Sequence, residues 1–190
     1  FTDEAEAFTG WLRERVVART DSASGPLQIM YGIDGRSELP EEILDHLEGY
    51  LGSKPVRVGN GAADQLQLDI YGELMDSVYL FNKYGRPIAH DGWVELSAVT
   101  DWLCQNWDQP DEGIWEVRGG RQNFTYSRLM CWVAIERAIR IARHRGLPGD
   151  LDAWRAARDA IYHQIMSRGW NEKRQAFVEH FDTDVLDASI

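Results

Sequence analysis

The eleven residues Pro110-Asp111-Glu112-Gly113-Ile114-Trp115-Glu116-Val117-Arg118-Gly119-Gly120 hold three carboxylates, a Trp, an Arg and three glycines. They lie between two segments that read as helices. A solvated turn has no need of an Ile-Trp-Glu-Val centre, and a buried core does not accept Glu and Arg without partners. A sugar-binding cleft accommodates both. There an aromatic face covers the pyranose ring, and a carboxyl group held partly out of water donates a proton. On an extended backbone Ile114, Glu116 and Arg118 would point one way, and Trp115 and Val117 the other. Apolar neighbours disfavour the charged carboxylate, as a general acid needs, whereas Arg118 on the same side favours it. The same residues also describe a surface loop with an Arg–Glu pair.

A second constellation runs from Gly49 to Gly61. Its glycines let backbone approach a ligand, and Arg57 and Asn60 offer donors to hydroxyl groups. The order of a phosphate-binding loop is missing, and taken alone the run reads as a plain connection. A third set, Gln65, Gln67, Asp69 and Glu73, accompanies Tyr71 and Gly72 and reads as the solvated face of a helix. Trp170 reads as core or as the cover of a helix end.

Composition narrows the function classes. At 190 residues the chain has the size of one domain or a large piece of one. A net charge of −11 argues against nucleic acid or an anionic membrane as partner and fits a neutral substrate. No apolar run reaches the roughly 18 residues of a membrane span. Cys104 and Cys131 sit in apolar helical patterns and read as buried thiols in a reducing, cytoplasmic compartment. The five histidines have no ligand spacing, so no metal site is expected. Of eight Trp and seven Tyr most are expected in the core, and an excess beyond packing is a feature of carbohydrate clefts.

The positioning elements are helical. Apolar residues at Ala5, Phe8, Leu12 and Val16 predict a helix over 2–19 with Thr2 as N-cap. Leu66, Ile70, Leu74, Val78 and Phe81 predict one from 62 to 84. Further helices are expected over 91–107 (Asp91 as N-cap), 124–145 and 151–168. A short helix is expected to open at Pro40-Glu41-Glu42 and a last one near the C-terminus. A small strand or hairpin is predicted within 27–31 and another hairpin around Phe177-Val178. Helices joined by alternately short and long loops predict antiparallel helical hairpins, with function on the long-loop side. No linker divides the chain, which reads as one structural unit. It opens at Phe1 within a helical pattern and closes in the apolar Asp187-Ala188-Ser189-Ile190, so it reads as an excerpt of a longer protein.

Five blocks in order resemble the bacterial branch of glycoside hydrolase family 15, which includes glucoamylases, trehalases and glucodextranases. They are Ile29-Met30-Tyr31-Gly32-Ile33-Asp34-Gly35; His46-Leu47-Glu48-Gly49-Tyr50 with Arg57-Val58-Gly59-Asn60; and Gln65-Leu66-Gln67-Leu68-Asp69-Ile70-Tyr71-Gly72-Glu73. The series continues with Pro110 to Gly119, and with Phe124-Thr125-Tyr126-Ser127 leading to Leu129-Met130-Cys131-Trp132. The resemblance implies an all-α fold, part of an (α/α)6 toroid of helical hairpins with short β-hairpins in its long loops, residues 1–190 forming one partial catalytic domain truncated at both ends. It also implies inverting hydrolysis of an α-glucosidic bond in a maltooligosaccharide, trehalose or a related α-glucan, without a cofactor. The family's acid motif falls on Trp115-Glu116, which makes Glu116 the candidate general acid. Trp115, Arg118, Tyr50, Arg57 and Asn60 are implied to contact the sugar.

Two departures from the family pattern follow. Its upstream Trp-x-Arg-Asp-Ala motif is missing, since Arg158-Asp159-Ala160 lies inside a helical pattern and Trp154 is two residues too far upstream. Its catalytic base belongs to a later segment than any Glu here, and the surroundings of Glu172 and Glu179 read as helix end and hairpin. Half of a catalytic pair is therefore expected, with the excerpt inactive alone and prone to self-association through apolar faces left uncovered. The competing reading is a catalytically silent helical module that binds carbohydrate or protein.

Overall fold

The computed structural model describes residues 2–20, 27–116 and 119–190, with only the backbone described for 2 and 18–20. Five helices dominate: α1 (Thr2–Thr20), α2 (Ile70–Tyr84), α3 (His90–Asn106), α4 (Thr125–Arg145) and α5 (Leu151–Gln164). Two short antiparallel ladders accompany them, β1 (Glu42–Ile43) with β2 (Arg57–Val58) and β3 (Trp170–Asn171) with β4 (Ala176–Phe177). The described residues divide into two compact units. One comprises residues 28–66, and the other the rest of the chain.

In the larger unit α4 is the hub, packing against α2, α3 and α5, while α1 lies on α3. The reason is legible along α4. Cys131, Ala134, Ile135, Ala138, Ile139 and Ala142 recur at helical spacing and are all buried. Small residues among them let neighbours approach closely. A close approach is made at Gly72 of α2, where a Cβ would lie 2.5 Å from the Met130 carbonyl oxygen of α4. A second anchor joins α3 to α5: Trp93 and Trp154, both fully buried, meet edge to face at 6.0 Å. Each indole N–H is satisfied, Trp93 donating to the Pro148 carbonyl at 2.7 Å and Trp154 to Asp101 Oδ1 at 2.6 Å. Asp150 caps α5 by accepting from the Ala153 N–H at 3.1 Å. The α1–α3 contact carries a bidentate pair in which Arg13 Nε and an Nη donate to Glu95 at 3.0 and 3.1 Å.

Several local expectations are corrected. The residues 40–42 open no helix; Glu42 pairs across the ladder with Val58. No strand forms among 27–31. α2 begins at Ile70 rather than 62, because the Ala62 N–H is held in a turn by Asn60 Oδ1 and the Leu68 N–H is taken by Asp111. Asp91 lies in the first turn of α3, whose cap position is Ala89. α5 closes with a π-helical turn over Ile165–Gly169, and no helix forms after 185. Cys131 is buried, whereas Cys104 is half-buried, and neither is in a disulfide.

The Gly72 contact generates a test. Alanine raises helix propensity by about 1 kcal/mol, but here its methyl group meets a backbone carbonyl that cannot rotate away. Gly72→Ala should therefore destabilise the protein by about 1–3 kcal/mol, measured as a lower urea midpoint at unchanged slope.

Candidate active site

The loop that carries Glu116 is closed at its root by backbone pairing. The Asp111 N–H donates to the Gln122 carbonyl at 3.0 Å, and the Gln122 N–H to the Asp111 carbonyl at 2.8 Å. An Arg121–Glu112 ion pair at 3.0 Å laces the two arms just above. The Asp111 side chain, fully buried, anchors this root to the helices. One carboxylate oxygen accepts the Leu68 N–H at 2.9 Å and the Ser127 hydroxyl at 2.7 Å. Burial pushes the Asp111 carboxyl above its ordinary range, and these two hydrogen bonds work in the opposite direction.

From that root the chain turns over residues 113–116 rather than running extended. The alternation of side chains expected of 114–117 is therefore absent from the described part of the loop. Gly113 makes the turn possible. Its φ is +69°, and a Cβ there would press within 2.7 Å of the Phe124 ring. Glu116 also sits in the left-handed region, at φ +52°, with its N–H donating to the Gly113 carbonyl at 3.3 Å. Its side chain is exposed, so the carboxyl expected to be held partly out of water is open to solvent here. Trp115 is 55% exposed, yet its indole N–H donates to Asp187 Oδ1 at 2.8 Å. Arg118 lies outside the described residues.

The other sequence-derived candidates belong to the unit of residues 28–66. Arg57 is fixed by Glu41, with Nε 3.0 Å from Oε1, while Glu41 Oε2 accepts the Gly61 N–H at 3.4 Å. Asn60 lies in the same turn, its N–H donating to the Leu39 carbonyl at 3.2 Å and its Oδ1 accepting from Ala62. One carboxylate thus ties Arg57 to the turn that carries Asn60. Tyr50 stands apart in a short helical turn, 84% exposed.

Sequence reasoning missed a buried polar cluster at the root of the acid loop. Gln67 and Asp69, expected on a solvated face, are buried. Of that set Glu73 is exposed; it accepts the Tyr126 hydroxyl at 2.9 Å. Arg128, fully buried within α4, donates to the Gln109 carbonyl at 2.9 Å and to Asn123 Oδ1 at 2.7 Å. An arginine that opens the apolar run Leu129-Met130-Cys131-Trp132 was the available signal, since a charge in a packed helical stretch requires partners. Trp170 meets Phe177 edge to face across its ladder, as expected of a packing role. Glu172 lies beside the β3–β4 turn, accepting from Gln175, and Glu179 sits 4.0 Å from His180. Arg158 pairs with Asp159 and Glu136 along α5 and α4. Among the described residues no group of three or more His, Cys, Asp or Glu is arranged to hold a metal ion.

The sequence pattern of glycosyl hydrolases family 15 matches residues 1–190. The chain belongs to that family. It is 41% identical over 187 residues to the trehalase of Mycolicibacterium smegmatis, covering 98% of this chain and 28% of that protein. Against the trehalase of Mycobacterium tuberculosis the identity is 38%, over 98% of this chain and 27% of the relative. The trehalase of Thermoplasma acidophilum is 34% identical, over 98% and 33%. This family-15 chain therefore spans a third or less of the length of these curated relatives. A solved glycosidase in complex with glucose superposes with a TM-score of 0.59 at 18% identity, over 95% of this chain and 45% of that one. That likeness concerns the fold alone, and it agrees with the all-α class and a piece of an α/α toroid.

Asp69 supplies a pH test of the cluster. Burial is the main reason its carboxyl is pushed up from an ordinary 3.8 to about 6, with the negative charges of Asp111 and Glu73 adding to it and a backbone hydrogen bond opposing. The folded chain thus holds this proton more tightly than the unfolded chain does. Its contribution to stability is complete below about pH 4 and is lost as pH rises through about 6. Thermal unfolding of wild type against Asp69→Asn should show this fall in the wild type only. Parallel pH curves would refute it.

Proposed function

We propose that the full-length protein is an inverting glycoside hydrolase that cleaves the α-glucosidic bond of trehalose or a related maltooligosaccharide, with Glu116 as general acid. The carrying observation is the Trp115-Glu116 pair, presented on a root-locked, solvent-facing turn in a family-15 chain. The relatives named trehalases support trehalose as the first substrate to test. On this reading residues 28–66 and the remainder form one catalytic domain, with the base and the rest of the cleft supplied by sequence outside this chain.

The chemistry needs little from each group. The Glu116 carboxyl delivers its proton to the glycosidic oxygen as the bond breaks. A second carboxylate, roughly 6.5–9.5 Å away, takes a proton from the water that attacks the opposite face of the ring, inverting the anomeric centre. Trp115 offers an aromatic face for the sugar ring. Arg57, Asn60, Tyr50 and Arg118 are assigned to sugar hydroxyls. Arg57 suits this role because Glu41 already orients its guanidinium, lowering the entropy lost on binding. No cofactor enters this scheme. A cytoplasmic location belongs to the same reading.

Glucose release from trehalose and from maltooligosaccharides, by this chain and by the full-length protein, tests the proposal. Release by the full-length protein alone is expected, and Glu116→Gln should reduce it by about 10²–10⁴-fold with an unchanged circular dichroism spectrum. Near-wild-type turnover in Glu116→Gln would remove this residue from the mechanism. Hydrolysis by the 190-residue chain would place the base within it.

A further inference from the structure

An indole more than half exposed is ordinarily free to change rotamer, but that of Trp115 is tied to a carboxylate 72 residues further on. Asp187 Oδ1 accepts its N–H at 2.8 Å, while Oδ2 accepts the Ser189 hydroxyl. Both carboxylate oxygens are therefore engaged, and the acceptor is itself held in place. Burial opposes the charged form of Asp187, but hydrogen bonds from the Ser189 and Trp115 side chains, together with the backbone of Ala188 and Ser189, hold the carboxyl below its usual range.

The segment that brings Asp187 to this position is laced to the base of the acid loop. Phe124 and His180 form an antiparallel bridge, the Thr125 N–H donates to the Glu179 carbonyl at 2.9 Å, and the Phe181 N–H to the Asn123 carbonyl at 3.0 Å. Beyond it the chain doubles back, with the Glu179 N–H donating to the Val185 carbonyl at 2.9 Å. The acid loop is thus fastened twice, at its root by Asp111 and near its tip by Asp187.

We propose that Asp187 is a positioning residue for Glu116: by gripping the Trp115 indole it fixes the backbone of the turn and so the direction in which the neighbouring carboxyl points. This rests on the reading of Glu116 as the acid. Glu116 has no side-chain hydrogen bond to Asp187 in this arrangement; the influence passes through Trp115.

The test uses the full-length protein with trehalose. Asp187→Ala should lower kcat by about tenfold or more, the scale of one hydrogen bond to a charged group. Asp187→Asn keeps an acceptor at Oδ1 and should restore most of that loss. The second readout is tryptophan fluorescence, where the change caused by either Asp187 variant should vanish in a Trp115→Phe background. Wild-type kcat in Asp187→Ala, equal losses in the Asn and Ala variants, or a fluorescence change that persists without Trp115 would each overturn the proposal. If Asp187→Ala does not fold, Asp187→Asn and the fluorescence comparison still decide. Glu116→Gln, assayed alongside, separates the two claims. An inactive Glu116→Gln with a silent Asp187→Ala refutes only the positioning role, whereas an active Glu116→Gln refutes the acid assignment itself.

Discussion

The acceptance of the Leu68 N–H and the Ser127 hydroxyl by one oxygen of the buried Asp111 carboxylate is the constraint on which the candidate site depends. It joins three pieces that are remote in sequence: the approach to α2, the root of the acid loop and the first turn of α4. The Leu68 N–H is thereby diverted from helical bonding, which fits α2 starting two residues later. Ser127 is committed to the same carboxylate, so the loop and α4 cannot shift independently. Because an uncompensated buried carboxylate costs several kcal/mol, the arrangement is close to all-or-none.

Around that contact the chain accumulates more buried polarity than a helical core ordinarily carries. Asp69, Arg128 and Gln67 all lie within it, and Asp69 feels the charge of Asp111. Hydrophobic packing alone would favour replacing such groups. Their effect here is geometric. Arg128 holds the Gln109 carbonyl and the Asn123 side chain, the two flanks from which the acid loop departs and to which it returns. The hydrogen-bonded part of the candidate site is its root, and the residues proposed to meet a ligand, Trp115 and Glu116, stand on a short exposed turn above it.

How much of this was legible in the sequence follows from how local each determinant is. The helical stretches of α4 and α5 depend on residues within a few positions of one another, and both were readable. The start of α2 was not, because the group that ends the turn before it, Asp111, lies 43 residues away. The β1–β2 ladder was missed for the same reason: two residues become a strand only by pairing with a distant partner. Asp69 looked like one member of a polar helix face, and only the packing of its surroundings makes it a buried acid. In the acid loop the residue types suggested the chemistry, while the turn at Gly113, with its left-handed backbone against Phe124, differs from the extended run on which an alternation of side chains would depend. Nothing in the sequence around Asp187 signals its hold on Trp115, which comes from the fold.

The central claim is that Glu116 supplies a proton to the leaving group, and leaving-group dependence tests it most directly. Cleavage of trehalose expels one glucose unit through its anomeric oxygen, an alkoxide that needs protonation, whereas fluoride leaves α-glucosyl fluoride with little help. In the full-length protein Glu116→Gln is predicted to lose trehalose turnover by about 10²–10⁴-fold while keeping most of its rate on α-glucosyl fluoride. Equal loss on both substrates, or no loss on trehalose, would contradict the assignment.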